Sequence, residues 1–182
     1  MISCIFVIVI HVTNYFCRSY GEITQSEYLF ALLLDTLARV SVPCFFMISG
    51  ALLLGREEPL KKHRERLLRF LIALVVWSVV YYIWNRAFMK TEYNLKEILY
   101  VPTEPHLWYL YAMIPIYMVL PFFQVMCKGM SRKLERTLLV VCGASVVFNY
   151  MVSLQNGEAY YDLPLIGDKV YMFYIFIGYF IY

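Results

Sequence analysis

The chain has 182 residues, of which 62% are hydrophobic and 16% charged, against about 25% charged in soluble domains, and its mean hydropathy is +0.62. This composition excludes a water-soluble globule, a disordered chain, a collagen-like rod and a disulfide-rich secreted scaffold, and a net charge of +3 is too mild to imply nucleic acid. The five cysteines, Cys4, Cys17, Cys44, Cys127 and Cys142, have no C-x-x-C or zinc spacing and read as packed thiols.

A helix that crosses a bilayer needs about 20 mostly apolar residues. Six stretches meet or approach this: residues 1–17, 28–54, 67–88, 106–127, 136–155 and 169–182. The expected fold class is all-α, a polytopic transmembrane helix bundle forming one membrane domain over residues 1–182. Residues 1–16 have no basic leading region and no small-residue cleavage site, so they read as a first membrane helix rather than a signal peptide. The final stretch reaches Tyr182 without a polar flank, so the chain is expected to be partial.

Basic residues near span ends stay on the cytoplasmic side. Arg56, Lys61, Lys62, Arg64, Arg66 and Arg69 follow the second span, and Lys128, Arg132, Lys133 and Arg136 follow the fourth. The alternate connections hold fewer: Arg18, then Arg86, Lys90 and Lys96, then Lys169, among Glu22, Glu27, Glu92, Glu97, Glu104, Glu158, Asp162 and Asp168. The alternation predicts a cytoplasmic N-terminus. Tyr81, Tyr82, Trp84, Trp108, Tyr109, Tyr160 and Tyr161 cluster at the predicted outer boundaries, where amphipathic rings settle.

Ionisable groups expected in hydrocarbon face the bundle interior and either act or pair. His11 lies about 15 Å along the first helix at 1.5 Å per residue, near mid-membrane. Asn14 and Arg18, at i+3 and i+7, share its face. A neutral imidazole takes a proton from a hydroxyl and returns it near neutral pH, so His11 reads as a catalytic or substrate-contacting residue. The alternative is a packing hydrogen bond to a neighbouring helix.

Asp35 and Arg39, spaced i, i+4 on the second span, have two readings. They neutralise each other, or Arg39 faces the same water-poor chamber as His11 while Asp35 meets Arg18. Pro43 removes the donor that would reach the Arg39 carbonyl, so the helix is expected to kink or break at a depth where that is tolerated only beside protein or a cavity. Ser49 and Gly50 are small enough to admit another helix or a ligand.

Arg66 and Arg69, in R-L-L-R at the start of the third span, are either positive-inside anchors or guanidinium forks for the phosphates of an anionic cytoplasmic cofactor. His63 in the same run reads as solvated. His106 lies beside Trp108 at an outer boundary, and three scattered histidines give no case for a metal.

The string R-V-S-V-P-C-F-F-M-I-S-G-A-L-L-L, Arg39 to Leu54, resembles the second-helix signature of the acyltransferase 3 family, membrane O-acyltransferases of bacterial surface polysaccharides and peptidoglycan. I-H-V at 10–12, R-L-L-R before Val76-Trp77-Ser78, and H-L-W-Y-L-Y at 106–111 follow in the family's order. The resemblance covers about the first six of the family's roughly ten helices. It implies that His11 is the first-helix histidine needed for acyl transfer, that Arg66 and Arg69 are the pair associated with the acyl donor, and that Arg39 opens the second-helix motif. One departure is that the family's basic residue eleven positions before the histidine falls one position ahead of Met1.

The function expected on this basis is transfer of an acyl group, acetyl first among the candidates, from cytoplasmic acyl-CoA to a hydroxyl of a cell-surface glycan or related acceptor in the bacterial inner membrane. His11 and Arg39 are the expected catalytic residues, Arg66 and Arg69 bind the donor, and Asn14, Asp35, Ser49 and Trp108 support them. Acyl-CoA, acetyl-CoA in the first instance, is a substrate, with no bound cofactor or metal; the partners are the lipid bilayer, the donor and the acceptor, not nucleic acid. The alternatives are a transporter or flippase of a lipid-linked or anionic substrate, and an inactive truncated remnant.

Overall fold

A computed structural model describes residues 2–56, 58–89, 101–155 and 170–182. Every long element among them is a helix: α1 (Ile2–Arg18), α2 (Gln25–Ala38), α3 (Ser41–Leu53), α4 (Leu60–Trp84), α5 (Trp108–Lys128), α6 (Arg132–Leu154) and α7 (Tyr171–Ile181). A π-turn at Asn85–Met89 extends α4, and a 3₁₀ turn at Pro105–Leu107 leads into α5. Lys90, Glu92, Lys96, Glu97, Glu158, Asp162, Asp168 and Lys169, and the aromatics Tyr160 and Tyr161, lie outside the described residues.

All six apolar stretches return as helix. Four helical segments are long and apolar enough to cross a membrane: Gln25–Leu53, which joins α2 and α3, Leu60–Met89, Pro105–Lys128 and Arg132–Leu154. Ile2–Arg18 and Tyr171–Ile181 are shorter apolar helices. The third helix starts at Leu60 rather than near 67, because the basic run 61–69 is itself helical behind Pro59, whose fixed φ suits a helix start. The outward faces are apolar: Ile72, Val75, Val79 and Ile83 on α4, and Val140, Val147, Met151 and Leu154 on α6, are all exposed. Apolar surface this extensive calls for lipid rather than water, and the protein is a multi-pass membrane protein.

The helices form two compact units, Met1–Gly55 with Cys127–Tyr182, and Arg56–Met126. In the first unit, Gly21 at φ +92° turns the chain between α1 and α2, a conformation that only glycine adopts without penalty. Thr24 then caps α2: its hydroxyl accepts from the Glu27 N–H at 3.4 Å, and the Glu27 carboxylate accepts from the Thr24 N–H at 3.1 Å. Ser131 caps α6 by accepting from Leu134 N–H at 3.3 Å.

The α3–α7 contact forms the core of this unit. Phe46, Ile175 and Phe176 are almost fully buried, and Phe46 stacks on Tyr171 at 4.6 Å. Gly50 lies directly against the Ile175 backbone and Gly178 against the Met47 backbone, so the two helices meet with their main chains in contact. Of the two approaches that the small residues Ser49 and Gly50 allow, the structure shows a helix. Cys142 is buried on α6, and its neighbour Gly143 faces the Phe173 ring. The packed-thiol reading holds for Cys127 and Cys142; Cys17 and Cys44 are half-buried and Cys4 is exposed.

In the second unit, α4 and α5 form an antiparallel hairpin. Phe70 meets Tyr117 at 4.7 Å and Tyr81 meets His106 at 4.9 Å. Asn85, buried in the π-turn, donates to Glu104 Oε1 at 2.8 Å and closes the turn end. Pro115 and Pro121 lie inside α5 and remove the donors that would reach the Tyr111 and Tyr117 carbonyls.

A Cβ added at Gly50 or Gly178 would collide with main chain that has no room to yield, whereas one at Gly143 would make ordinary contact with a ring at 3.6 Å. Gly50→Ala and Gly178→Ala should therefore each lower stability by about 1–3 kcal/mol, read as a drop in the unfolding midpoint in detergent. Gly143→Ala should stay within about 0.5 kcal/mol of the parent.

Candidate active site

The second span breaks where Pro43 requires it. α2 ends at Ala38 and α3 begins at Ser41, with Arg39 and Val40 between them. With no N–H on Pro43, the Arg39 carbonyl accepts instead from Val42 N–H at 3.3 Å, and the chain regains the helical pattern with Cys44 N–H to Val40 O at 3.2 Å. Arg39 is therefore the last residue held by α2, its N–H donating to Asp35 O at 3.0 Å.

Asp35 and Arg39 pair with each other. Arg39 Nε donates to Asp35 Oδ2 at 2.7 Å, with the Asp35 side chain 6% exposed and the Arg39 side chain 63% exposed. Asp35 Oδ1 accepts from Thr13 Oγ1 on α1 at 3.2 Å, and Thr13 is buried. The alternative partner for Asp35, Arg18, is not the one used. The Thr13 proton is shared with the Val9 carbonyl at 2.8 Å and the Ile10 carbonyl at 3.3 Å, so the hydroxyl bridges its own helix and the carboxylate.

Arg39 connects to α1 through Asp35 and Thr13. Thr13 is the residue that α1 turns towards α2, and His11, two residues earlier, lies about 200° around the helix from it at 100° per residue. His11 is exposed and Asn14 half-buried. Arg39 is exposed as well, attached to α2 through one edge of its guanidinium. Ser49 is half-buried and donates to Phe45 O at 2.8 Å, so its proton stays within α3.

The donor-binding candidates and Trp108 belong to the second unit. Arg66, 25% exposed, pairs with Glu58: Nη2 donates to Oε1 at 2.8 Å, and Nη1 lies 2.6 Å from Oε2 as an ion-pair contact without hydrogen-bond geometry, with Glu58 9% exposed. Arg56 is a looser neighbour of the same carboxylate at 4.0 Å. Arg69 is exposed and has no ion pair among the described residues. The two arginines of R-L-L-R are thus unlike each other: one is held in an ion pair, and the other has no ion pair among the described residues. Trp108 is half-buried at the start of α5 and lies edge-on to Tyr109 at 6.1 Å.

His63 is not solvated. It is buried on α4, and neither ring nitrogen has a hydrogen-bond partner among the described residues. A basic run reads as a solvated face, but once the run is helical one position per turn faces inward. Thr13 and Glu58 also went unread in the sequence. Threonine is common in membrane helices, where it bonds its own backbone, and Glu58 is eight residues from Arg66 across a proline, outside helical spacing. The one available signal for Thr13 was its place opposite the polar face of α1.

The all-helical, multi-span architecture is the fold class expected from the sequence. The family model described as an acyltransferase domain matches residues 1–182, and the chain belongs to the acyltransferase 3 family. No curated protein and no solved structure gives a significant match.

The contrast between the two arginines is measurable. Arg66→Ala strands a nearly buried carboxylate and should destabilise the full chain by about 1–3 kcal/mol. Arg69→Ala should change stability by less than about 0.5 kcal/mol. Thermal unfolding of both variants in the same detergent checks this.

Proposed function

We propose that the protein is an O-acyltransferase of the bacterial inner membrane, moving an acetyl or other acyl group from cytoplasmic acyl-CoA to a hydroxyl of a cell-surface glycan. Family membership over the whole chain supports the reaction class. The observation that carries this chain's part is Arg39, a guanidinium tied by its Nε to Asp35 beside the α2–α3 junction, with its side chain 63% exposed.

The chemistry assigns each residue a task. A thioester is a ready electrophile, and the difficult requirement is an alcohol stripped of its proton. His11 serves as general base, taking the acceptor's hydroxyl proton as the oxygen attacks the thioester carbon. The C–O bond forms, negative charge gathers on the carbonyl oxygen, and Arg39 faces that charge with preorganised donors. Collapse breaks the C–S bond, and the proton held by His11 goes to the departing CoA sulfur. Covalent catalysis, with His11 carrying the acyl group in transit, is the less favoured variant.

Arg66 and Arg69 are assigned to the phosphates of the donor. Arg69 offers an exposed fork suited to bidentate phosphate binding. Arg66 binds only by sharing or exchanging Glu58. Asn14, Ser49 and Trp108 are assigned supporting roles.

The test is incorporation of radiolabelled acetyl from acetyl-CoA into macromolecular material by inside-out membrane vesicles carrying the protein. His11→Ala should lower incorporation per folded protein by at least about 100-fold, the scale of a lost general base. Wild-type turnover in that variant would end the assignment of His11.

A further inference from the structure

We propose that Asp35 and Thr13 are positioning residues for Arg39, forming a chain from α1 through a buried carboxylate to the outward face of the guanidinium. This rests on the reading of Arg39 as the group that meets the charge developing on the thioester oxygen.

The geometry separates the two ends of the guanidinium. Asp35 takes Nε at 2.7 Å, and the side chain, 63% exposed, has no other hydrogen bond or ion pair among the described residues. The Nη groups have no hydrogen bond among the described residues, and a guanidinium fork of this kind matches an anionic oxygen. Asp35 holds Arg39 twice, through its own backbone carbonyl to the Arg39 N–H at 3.0 Å and through the carboxylate. The second attachment matters because α2 ends here, and no side chain of α3 makes a hydrogen bond or ion pair to the arginine among the described residues.

The carboxylate is in turn restrained from α1. Thr13 Oγ1 sits 3.2 Å from Oδ1, and both residues are buried, so the contact lies inside the α1–α2 interface. Loss of the Thr13 hydroxyl leaves one carboxylate oxygen dry and removes the hydrogen bond that ties the carboxylate to the helix carrying His11. The relay consists of hydrogen bonds only, and no proton need leave Asp35 or Arg39.

The test uses the full chain in inside-out membrane vesicles with radiolabelled acetyl-CoA as probe, and rates are expressed per folded protein measured by size-exclusion chromatography. Asp35→Asn should lower kcat about 10-fold or more and the isosteric Thr13→Val about 3-fold, with KM for acetyl-CoA changed less than about twofold. A residue acting through Arg39 loses its effect when Arg39 is gone, so Asp35→Asn added to Arg39→Gln should lower kcat no further. Independent, multiplying losses in the double variant would overturn the proposal, as would wild-type kcat in both Asp35→Asn and Thr13→Val. If Arg39→Gln alone keeps wild-type kcat, the underlying reading of Arg39 fails and the positioning role falls with it. If Arg39→Gln is inactive while Asp35→Asn and Thr13→Val are normal, only the positioning role is lost. Should Asp35→Asn fail to fold, Thr13→Val decides by the same KM and kcat comparison.

Discussion

A carboxylate cannot be left bare in hydrocarbon, and the first unit of this protein is arranged around that constraint at Asp35. Removing an ion from water carries a penalty of several kcal/mol unless a counter-charge and hydrogen bonds replace its solvation. Arg39 supplies the charge and one hydrogen bond, and Thr13 supplies another. Meeting that requirement fixes the interface between α1 and α2 and determines which edge of the arginine stays available.

The break in the second span follows from a second requirement of the same solvent. Backbone groups in lipid must find partners within the protein, and Pro43 withholds one from the Arg39 carbonyl. The chain responds by drawing that carbonyl to Val42 and restarting the helix at Ser41. α3 is then anchored where glycine permits main chain to touch main chain, at Gly50 and Gly178. Close backbone approach replaces the hydrophobic driving force that soluble helices use, since lipid tails are as apolar as the side chains. An arginine at the junction is thus bordered by a carboxylate-anchored helix on one side and a glycine-anchored helix on the other.

Much of this was legible in the sequence, and for physical reasons. The six apolar stretches were visible because bilayer thickness sets helix length, and the break near Arg39 because proline chemistry is local. The i, i+4 spacing of Asp35 and Arg39 offered their pairing as one of two readings. The orientation of α1 was less accessible: His11, Asn14 and Arg18 mark a polar face, yet the residue turned to α2 is Thr13 on the other side, since helix rotation is set by which partner the buried carboxylate selects. The character of R-L-L-R was likewise hidden. Glu58 reaches Arg66 from beyond Pro59, a contact that no periodicity encodes, and it makes the two arginines different in kind. His63 shows the same limit, because a run of charges conceals the one position per turn that points inward.

The account stands on Asp35 and Arg39 acting as one unit, and a double-mutant cycle measures that most directly. Thermal unfolding of the full chain in a single detergent would be compared for the parent, Asp35→Asn, Arg39→Gln and the double variant. If the pair is as described, each single change destabilises by about 1.5–3 kcal/mol, and the double variant is more stable than the sum by at least about 1 kcal/mol. Additivity within about 0.3–0.5 kcal/mol would show that the two side chains do not depend on each other, and would contradict the account.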